Sequence, residues 1–122
     1  MVKVKRVYEE PGPADGHRIL VDRLWPRGVK KAEAHLSAWL KDLSPSEELR
    51  RWFDHQPEHW EEFHRRYREE LAAPEKAALL QDLLDRARQG TVTLVFAARD
   101  PDRNNAVVVK NLLEERLGSS PG

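Results

Sequence analysis

Thr91 to Ala98, TVTLVFAA, is the stretch whose reading decides the fold. It is rich in β-branched residues, carries no charge and is too short for an isolated helix, so it reads as a strand buried on both faces. Such a strand belongs in the middle of a sheet. Asp100-Pro101 follows it as the predicted N-cap and first residue of a closing helix, with Val109, Leu112, Leu113 and Leu117 inward and Gly118 as its stop. Upstream, the turn signals of Glu9 to Gly16 lead into Arg18 to Asp22, RILVD, a second short buried strand. Val2 to Tyr8, VKVKRVY, alternates and carries three cations, which places a third strand near a sheet edge.

The segment between these strands has helical spacing. Leu36, Trp39, Leu40 and Leu43 predict one helical face. Ser44-Pro45-Ser46-Glu47 predicts a capping box, with Ser44 as the cap and Leu49, Trp52 and Phe53 following. Glu58 to Leu71 aligns Trp60, Phe63, Tyr67 and Leu71 in one stripe, and Ala77, Leu80, Leu83, Leu84 and Ala87 form another before the turn at Gly90. The expected architecture is α/β: a small sheet, at least partly parallel, a helical middle of about four helices, and a closing C-terminal helix. One domain is expected over residues 1–118, with Ser119 to Gly122 as a flexible tail.

Composition narrows the function classes. The 122 residues carry 21 Lys plus Arg against 21 Asp plus Glu, a balance that argues against general nucleic-acid binding. The absence of cysteine excludes disulfides, thiolate nucleophiles and zinc-thiolate or iron-sulfur sites. No apolar run approaches the roughly 18 residues that span a bilayer, and MVKVKRVYEE lacks the apolar core of a signal peptide. A cytoplasmic protein without a membrane partner is expected. Arginine outnumbers lysine and Asn and Gln are few, a composition found in heat-tolerant proteins.

In open α/β sheets ligands collect beyond the carboxyl ends of the strands. Two such ends are rich in polar chemistry. Asp22-Arg23-Leu24-Trp25-Pro26-Arg27-Gly28 packs a carboxylate, two guanidinium groups and an indole into seven residues. An arginine pair can clamp a phosphate or carboxylate, and an indole can stack on a planar group or pack under the loop. Arg99-Asp100-Pro101-Asp102-Arg103-Asn104-Asn105 feeds a helix start, whose free amides suit an anion. Asn104 and Asn105 are poor helix formers and read as local amide donors or as a site device. If the two strands run parallel, these segments converge. The competing structural interpretation is that Asp22 forms a buried ion pair with Arg23 or Arg99 that merely orders the loops.

Other constellations are weaker. Asp54 and His55 could serve as a base and its orienter, but a helix C-terminus explains His55 as well. His55, His59 and His64 lack a metal-ligand spacing, and no phosphate-binding or dinucleotide glycine motif is present, so no metal and no cofactor are expected.

Leu20-Val21-Asp22-Arg23-Leu24-Trp25-Pro26-Arg27-Gly28, together with Val4 to Tyr8, Trp39-Leu40, Trp52-Phe53 and Ala97-Ala98-Arg99-Asp100, resembles the YeaO-like branch of the domain of unknown function 488 family. The resemblance covers nearly the whole chain. It implies no reaction, because the family is functionally uncharacterised. Its longer members are similar at Asp22, Arg27, Asp100 and Pro101, and carry a strand Cys and a later Cys-His-Arg. Here Phe96, and Asn104, Asn105 and Ala106, stand at those places. An anion-binding or acid-base role at the shared Asp and Arg positions is what the comparison leaves.

The leading expectation is therefore a small protein that binds a phosphorylated or otherwise anionic small molecule, a nucleotide among the candidates. Arg23, Arg27 and Arg99 would hold the anion, Trp25, Asn104 and Asn105 would line the site, and Asp22 would be the acid or base. The alternative is a non-catalytic module that presents Trp25, Trp52 and its arginines to a protein or nucleic acid. Exposure of both indole rings would favour it.

Overall fold

The computed structural model describes residues 1–118; the expected tail, Ser119 to Gly122, lies outside the described residues. The charge-free run forms β4, Val92–Phe96, with every residue buried. On one side it pairs in parallel with β1, Val2–Arg6, and on the other with β2, His17–Leu20, so it occupies the sheet interior. A two-residue strand, β3 (Ala38–Trp39), pairs in parallel with β2 and completes the order β1-β4-β2-β3. The cationic strand β1 lies at an edge, where its lysines reach solvent.

The helices are α1 (Lys31–Ala34), α2 (Glu47–Phe53), α3 (Trp60–Leu71), α4 (Ala77–Gln89) and α5 (Asn105–Gly118). Strand alternation divides the sheet into two faces. Val2, Ile19, Val21, Val92, Leu94 and Phe96 enter the main core with Phe63, Tyr67, Leu83, Val109 and Leu113. The opposite face carries a polar network. Asp15 accepts from Arg18 Nη1 at 2.6 Å, Lys5 Nζ at 3.1 Å and the Gly12 amide at 3.0 Å, while Thr93 Oγ1 donates to the Asp15 carbonyl at 2.7 Å. Burial alone would raise the Asp15 pKa, but these bonds and the two cations hold it below its ordinary value.

Three local expectations are corrected. Leu36 to Leu43 is not a helix. His35 ends α1 in the left-handed region at φ 49°, and the Ser37 and Leu40 amides then donate to Arg18 and Leu20 carbonyls at 2.7 and 2.9 Å. Pairing with β2 takes the backbone donors that helical spacing had suggested would bond internally, and only Lys41–Leu43 makes a single 3-10 turn. The cap of α2 is Ser46 rather than Ser44: its hydroxyl accepts the Leu49 amide at 3.1 Å, while Ser44 donates to the Lys41 carbonyl. Asp100 closes a turn by accepting the Asp102 and Arg103 amides, and Asn104 Oδ1 accepts the Val107 amide at the start of α5. The closing helix therefore begins four residues after Pro101.

Gly16 joins the Asp15 turn to β2 at φ 63°, ψ −130°, a region that essentially only glycine occupies. A Cβ there would lie 2.3 Å from the Thr91 carbonyl oxygen, which itself accepts the His17 amide. Gly28 also has positive φ, 79°, but a Cβ there meets open space. Gly16→Ala is expected to cost about 3 kcal/mol or more, and Gly28→Ala about 1 kcal/mol, in chemical denaturation. Equal losses would show that the contact with the Thr91 carbonyl is not the constraint.

Candidate functional site

Parallel pairing brings the carboxyl ends of β2 and β4 side by side. The Val21 amide donates to the Val95 carbonyl at 3.3 Å, the last rung between the strands. One residue further, Asp22 Oδ2 replaces a backbone carbonyl and accepts the Ala97 amide at 2.9 Å. Asp22 Oδ1 accepts from Asn105 Nδ2 at 3.0 Å, and the same amide nitrogen reaches the Val21 carbonyl at 3.0 Å. The Asp22 carbonyl in turn accepts the Trp39 indole N–H at 2.7 Å. A single residue thus fastens the ends of β2, β3 and β4 to the start of α5.

Beyond this junction opens a cleft of about 770 Å³, within the range of small-molecule sites. The loop after β2 supplies Asp22, Arg23, Trp25 and Arg27, the loop after β4 supplies Arg99 and Asn104, and the first residue of α5 supplies Asn105. All seven residues singled out in the sequence line this one volume. The far wall comes from Ser44, Pro45, Arg50, Phe53, His55 and Phe63, with Tyr8 at the end of β1 and Arg103 before α5. His55 and Arg103 stand in segments that the sequence had offered, whereas Tyr8, Ser44, Pro45, Arg50, Phe53 and Phe63 were not singled out for the site. Arg50 stands three positions before the core residue Phe53, and that spacing is the one local signal that could have placed it on the same helical face.

The arginines fall into two groups. Those along the helices are paired, as in Arg51 with Glu47 at 2.7 Å and Arg66 with Glu62 at 3.0 Å. Arg103 pairs with Asp100 at 3.3 Å, and Arg50 only reaches Glu47 at 4.0 Å. Arg23, Arg27 and Arg99 are exposed, and among the described residues no carboxylate lies within ion-pair distance of any of them. The ion pair considered between Asp22 and Arg23 or Arg99 is not formed. Arg23 instead makes a long contact of 3.5 Å with the Pro45 carbonyl.

Trp25 is half-buried. Its N–H donates to the Val29 carbonyl at 2.7 Å and its ring meets Trp39 edge-on, with centroids 5.5 Å apart, so its packing holds the loop that carries the arginines. Asn104 is buried and its Nδ2 donates to the Asp100 carbonyl at 2.9 Å. The two asparagine amides are therefore committed within the protein and position the site. Arg6, which the sequence did not single out, donates from Nε to the Ala98 carbonyl at 2.9 Å and from Nη2 to the Ala97 carbonyl at 3.3 Å, shaping the second loop from the neighbouring strand.

Burial raises the pKa of Asp22 above its ordinary 3.8, although the Asn105 and Ala97 hydrogen bonds oppose the shift. Beneath it, burial pushes the Tyr67 phenol well above its ordinary range, with the Asp22 and Glu70 charges adding to the shift, and the protonated hydroxyl donates to the Leu43 carbonyl. Because the folded state binds the Asp22 proton more tightly than the unfolded chain, acidification stabilises the fold through this group. The stability of the wild type relative to Asp22→Asn should therefore rise as the pH falls from neutrality through the raised pKa, and level off below about 3.8. Denaturant titrations between pH 7 and 4 read this difference directly; a difference that shrinks on acidification would reverse the assignment.

Among the described residues, no group of three or more His, Asp or Glu is placed to hold a metal ion, and no helix is long and apolar enough to cross a membrane. Residues 1–121 match the family described as the inactive DUF488-N3 subclade. The uncharacterized protein Rv3073c of Mycobacterium tuberculosis is 45% identical over 115 residues, covering 94% of this chain and 95% of the relative. The uncharacterized protein YeaO of Escherichia coli is 39% identical over 112 residues, covering 92% and 96%. No solved structure matches the chain significantly. With the strand-end motif, the matched length and these relatives in agreement, the chain belongs to the YeaO-like, inactive DUF488-N3 branch of the domain of unknown function 488 family.

Proposed function

We propose that the cleft binds a phosphorylated or otherwise anionic small molecule, nucleotides included, and holds it without chemical conversion. The observation that carries this reading is the set of three exposed arginines, Arg23, Arg27 and Arg99, that line one concave volume without a carboxylate partner among the described residues. A guanidinium satisfied by a neighbouring carboxylate contributes little field, whereas three unpaired ones around a cleft with partly apolar walls concentrate positive potential where a ligand would sit. The apolar wall from Phe53 and Phe63 would take the carbon part of the ligand.

Binding is favoured over turnover on two grounds. The family description carries the word inactive, and the positions that resemble the cysteine pattern of longer relatives hold Phe96 in the core and Asn104 at a helix cap. Asp22 is the acid or base that a converting site would have to use. The alternative of an aromatic interaction module is disfavoured because neither indole is exposed: Trp25 packs on Trp39, and Trp52 is half-buried, stacked on His59 with Arg66 over its ring. The neutral overall charge further favours a local anion site over general polyanion binding.

Thermal-shift measurements against a panel of phosphorylated ligands, with inorganic phosphate as the simplest member, test the proposal. At least one ligand should stabilise the wild type, by an amount that grows with its concentration, and Arg27→Ala should lose that stabilisation. Without ligand the same substitution should change stability by no more than about 0.5 kcal/mol, because it removes an exposed side chain. A panel with no stabilising member, or a large loss of stability in unliganded Arg27→Ala, would sink the reading.

A further inference from the structure

We infer that the ligand of the cleft is a phosphate ester bearing a vicinal diol, with the diol on the Asp22 carboxylate and the phosphate on Arg23, Arg27 and Arg99. The inference rests on the proposed anion-binding reading and adds the second half of the ligand. A carboxylate has four acceptor sites, two on each oxygen. In Asp22 the Ala97 amide occupies one site on Oδ2 and the Asn105 amide one on Oδ1. One acceptor site therefore remains on each oxygen, on a residue that lines the cleft. Two adjacent hydroxyl groups can donate to two neighbouring oxygens of one carboxylate, the same chemistry by which an acidic residue at a strand end holds a ribose in dinucleotide-binding folds.

The charge pattern selects against the other donor that would fit. An ammonium could also fork across Asp22, but it would enter a cleft whose loops present Arg23, Arg27 and Arg99, and like charges disfavour it. Neutral hydroxyl groups pay no such cost. The carboxylate also lacks an ion-pair partner among the described residues, so it has not been neutralised in advance by the protein, in contrast to Asp15. Burial raises the Asp22 pKa, and two further O–H donors would favour its charged form, so diol binding and ionisation of Asp22 reinforce each other. The cleft volume of about 770 Å³ exceeds what a pentose phosphate fills, leaving room for a larger substituent against Phe53 and Phe63.

Isothermal titration of the full chain with ribose 5-phosphate, 2-deoxyribose 5-phosphate, phosphoethanolamine and inorganic phosphate tests this assignment. Ribose 5-phosphate should bind at least about tenfold more tightly than each of the other three, equivalent to about 1.4 kcal/mol. In Asp22→Asn, which replaces an acceptor oxygen by an amide donor, that preference should fall below about twofold. Equal binding of ribose 5-phosphate and inorganic phosphate would overturn the diol assignment while leaving the anion site standing. Tighter binding of phosphoethanolamine would overturn it in favour of an ammonium on Asp22. If none of the four bound, the anion site itself would fall, and the diol with it. Should Asp22→Asn fail to fold, the comparison of ribose with 2-deoxyribose phosphate in the wild type still decides.

Discussion

The Asp22 carboxylate holds the carboxyl ends of the inner strands and the start of α5 together. Where β2 and β4 diverge, the Ala97 amide loses its backbone partner, and Asp22 Oδ2 supplies one. Its other oxygen takes the Asn105 amide and so fixes the start of α5 against the same point. A carboxylate makes a stronger acceptor than a carbonyl, but it brings a charge that burial penalises. Partial burial raises the Asp22 pKa, and its hydrogen bonds to Asn105 and Ala97 act in the opposite direction. A half-buried acid with a raised pKa on the wall of a cleft is a combination met at functional sites as well as in structural networks.

The contrast with Asp15 sharpens the point. Both acids flank β2, Asp15 before its first residue and Asp22 just after its last. Asp15 receives Lys5 and Arg18 as partners and its pKa is lowered. It therefore stabilises the fold at neutral pH and loses that contribution as acid protonates it below its ordinary 3.8. Asp22 receives amides but no cation, although three arginines stand around the same cleft. Placing those guanidinium groups outside ion-pair reach keeps both signs of charge available at once. The proposed ligand, with an anionic end and a neutral donor end, would meet both.

Much of this was legible in the sequence because burial on both faces leaves a strong imprint. Thr91 to Ala98 and Ile19 to Val21 read as inner strands since no charged residue interrupts their runs, and the cations of Val2 to Arg6 marked an edge. Once the strands are parallel, the polar segments that follow them have to meet, and they do. The errors arose where long-range pairing overrode local spacing. Leu36, Trp39, Leu40 and Leu43 have the spacing of a helical face, yet the Ser37 and Leu40 amides bond to β2, a competition that periodicity alone cannot register. The far wall was illegible for the same reason: Phe53 and Phe63 read as core residues of separate helices, and only their stacking at 4.2 Å beneath the cleft gives them a second face.

The family pattern adds the last step. In the longer relatives that the chain resembles, the central strand and the following helix start carry cysteine and Cys-His-Arg. In this chain Phe96 is 1% exposed within the main core, Asn104 caps α5, and Asn105 holds Asp22. The two cysteine places thus hold a core ring and a helix cap, for which a thiol is smaller than the Phe96 ring and a weaker hydrogen-bond partner than the Asn104 amide. Asp22 and Arg27, the positions at which the longer relatives are similar, both line the cleft. Where the resemblance puts cysteines, this chain has a core ring and a helix cap, and the charged groups that line the cleft beside them are Asp22 and the arginines.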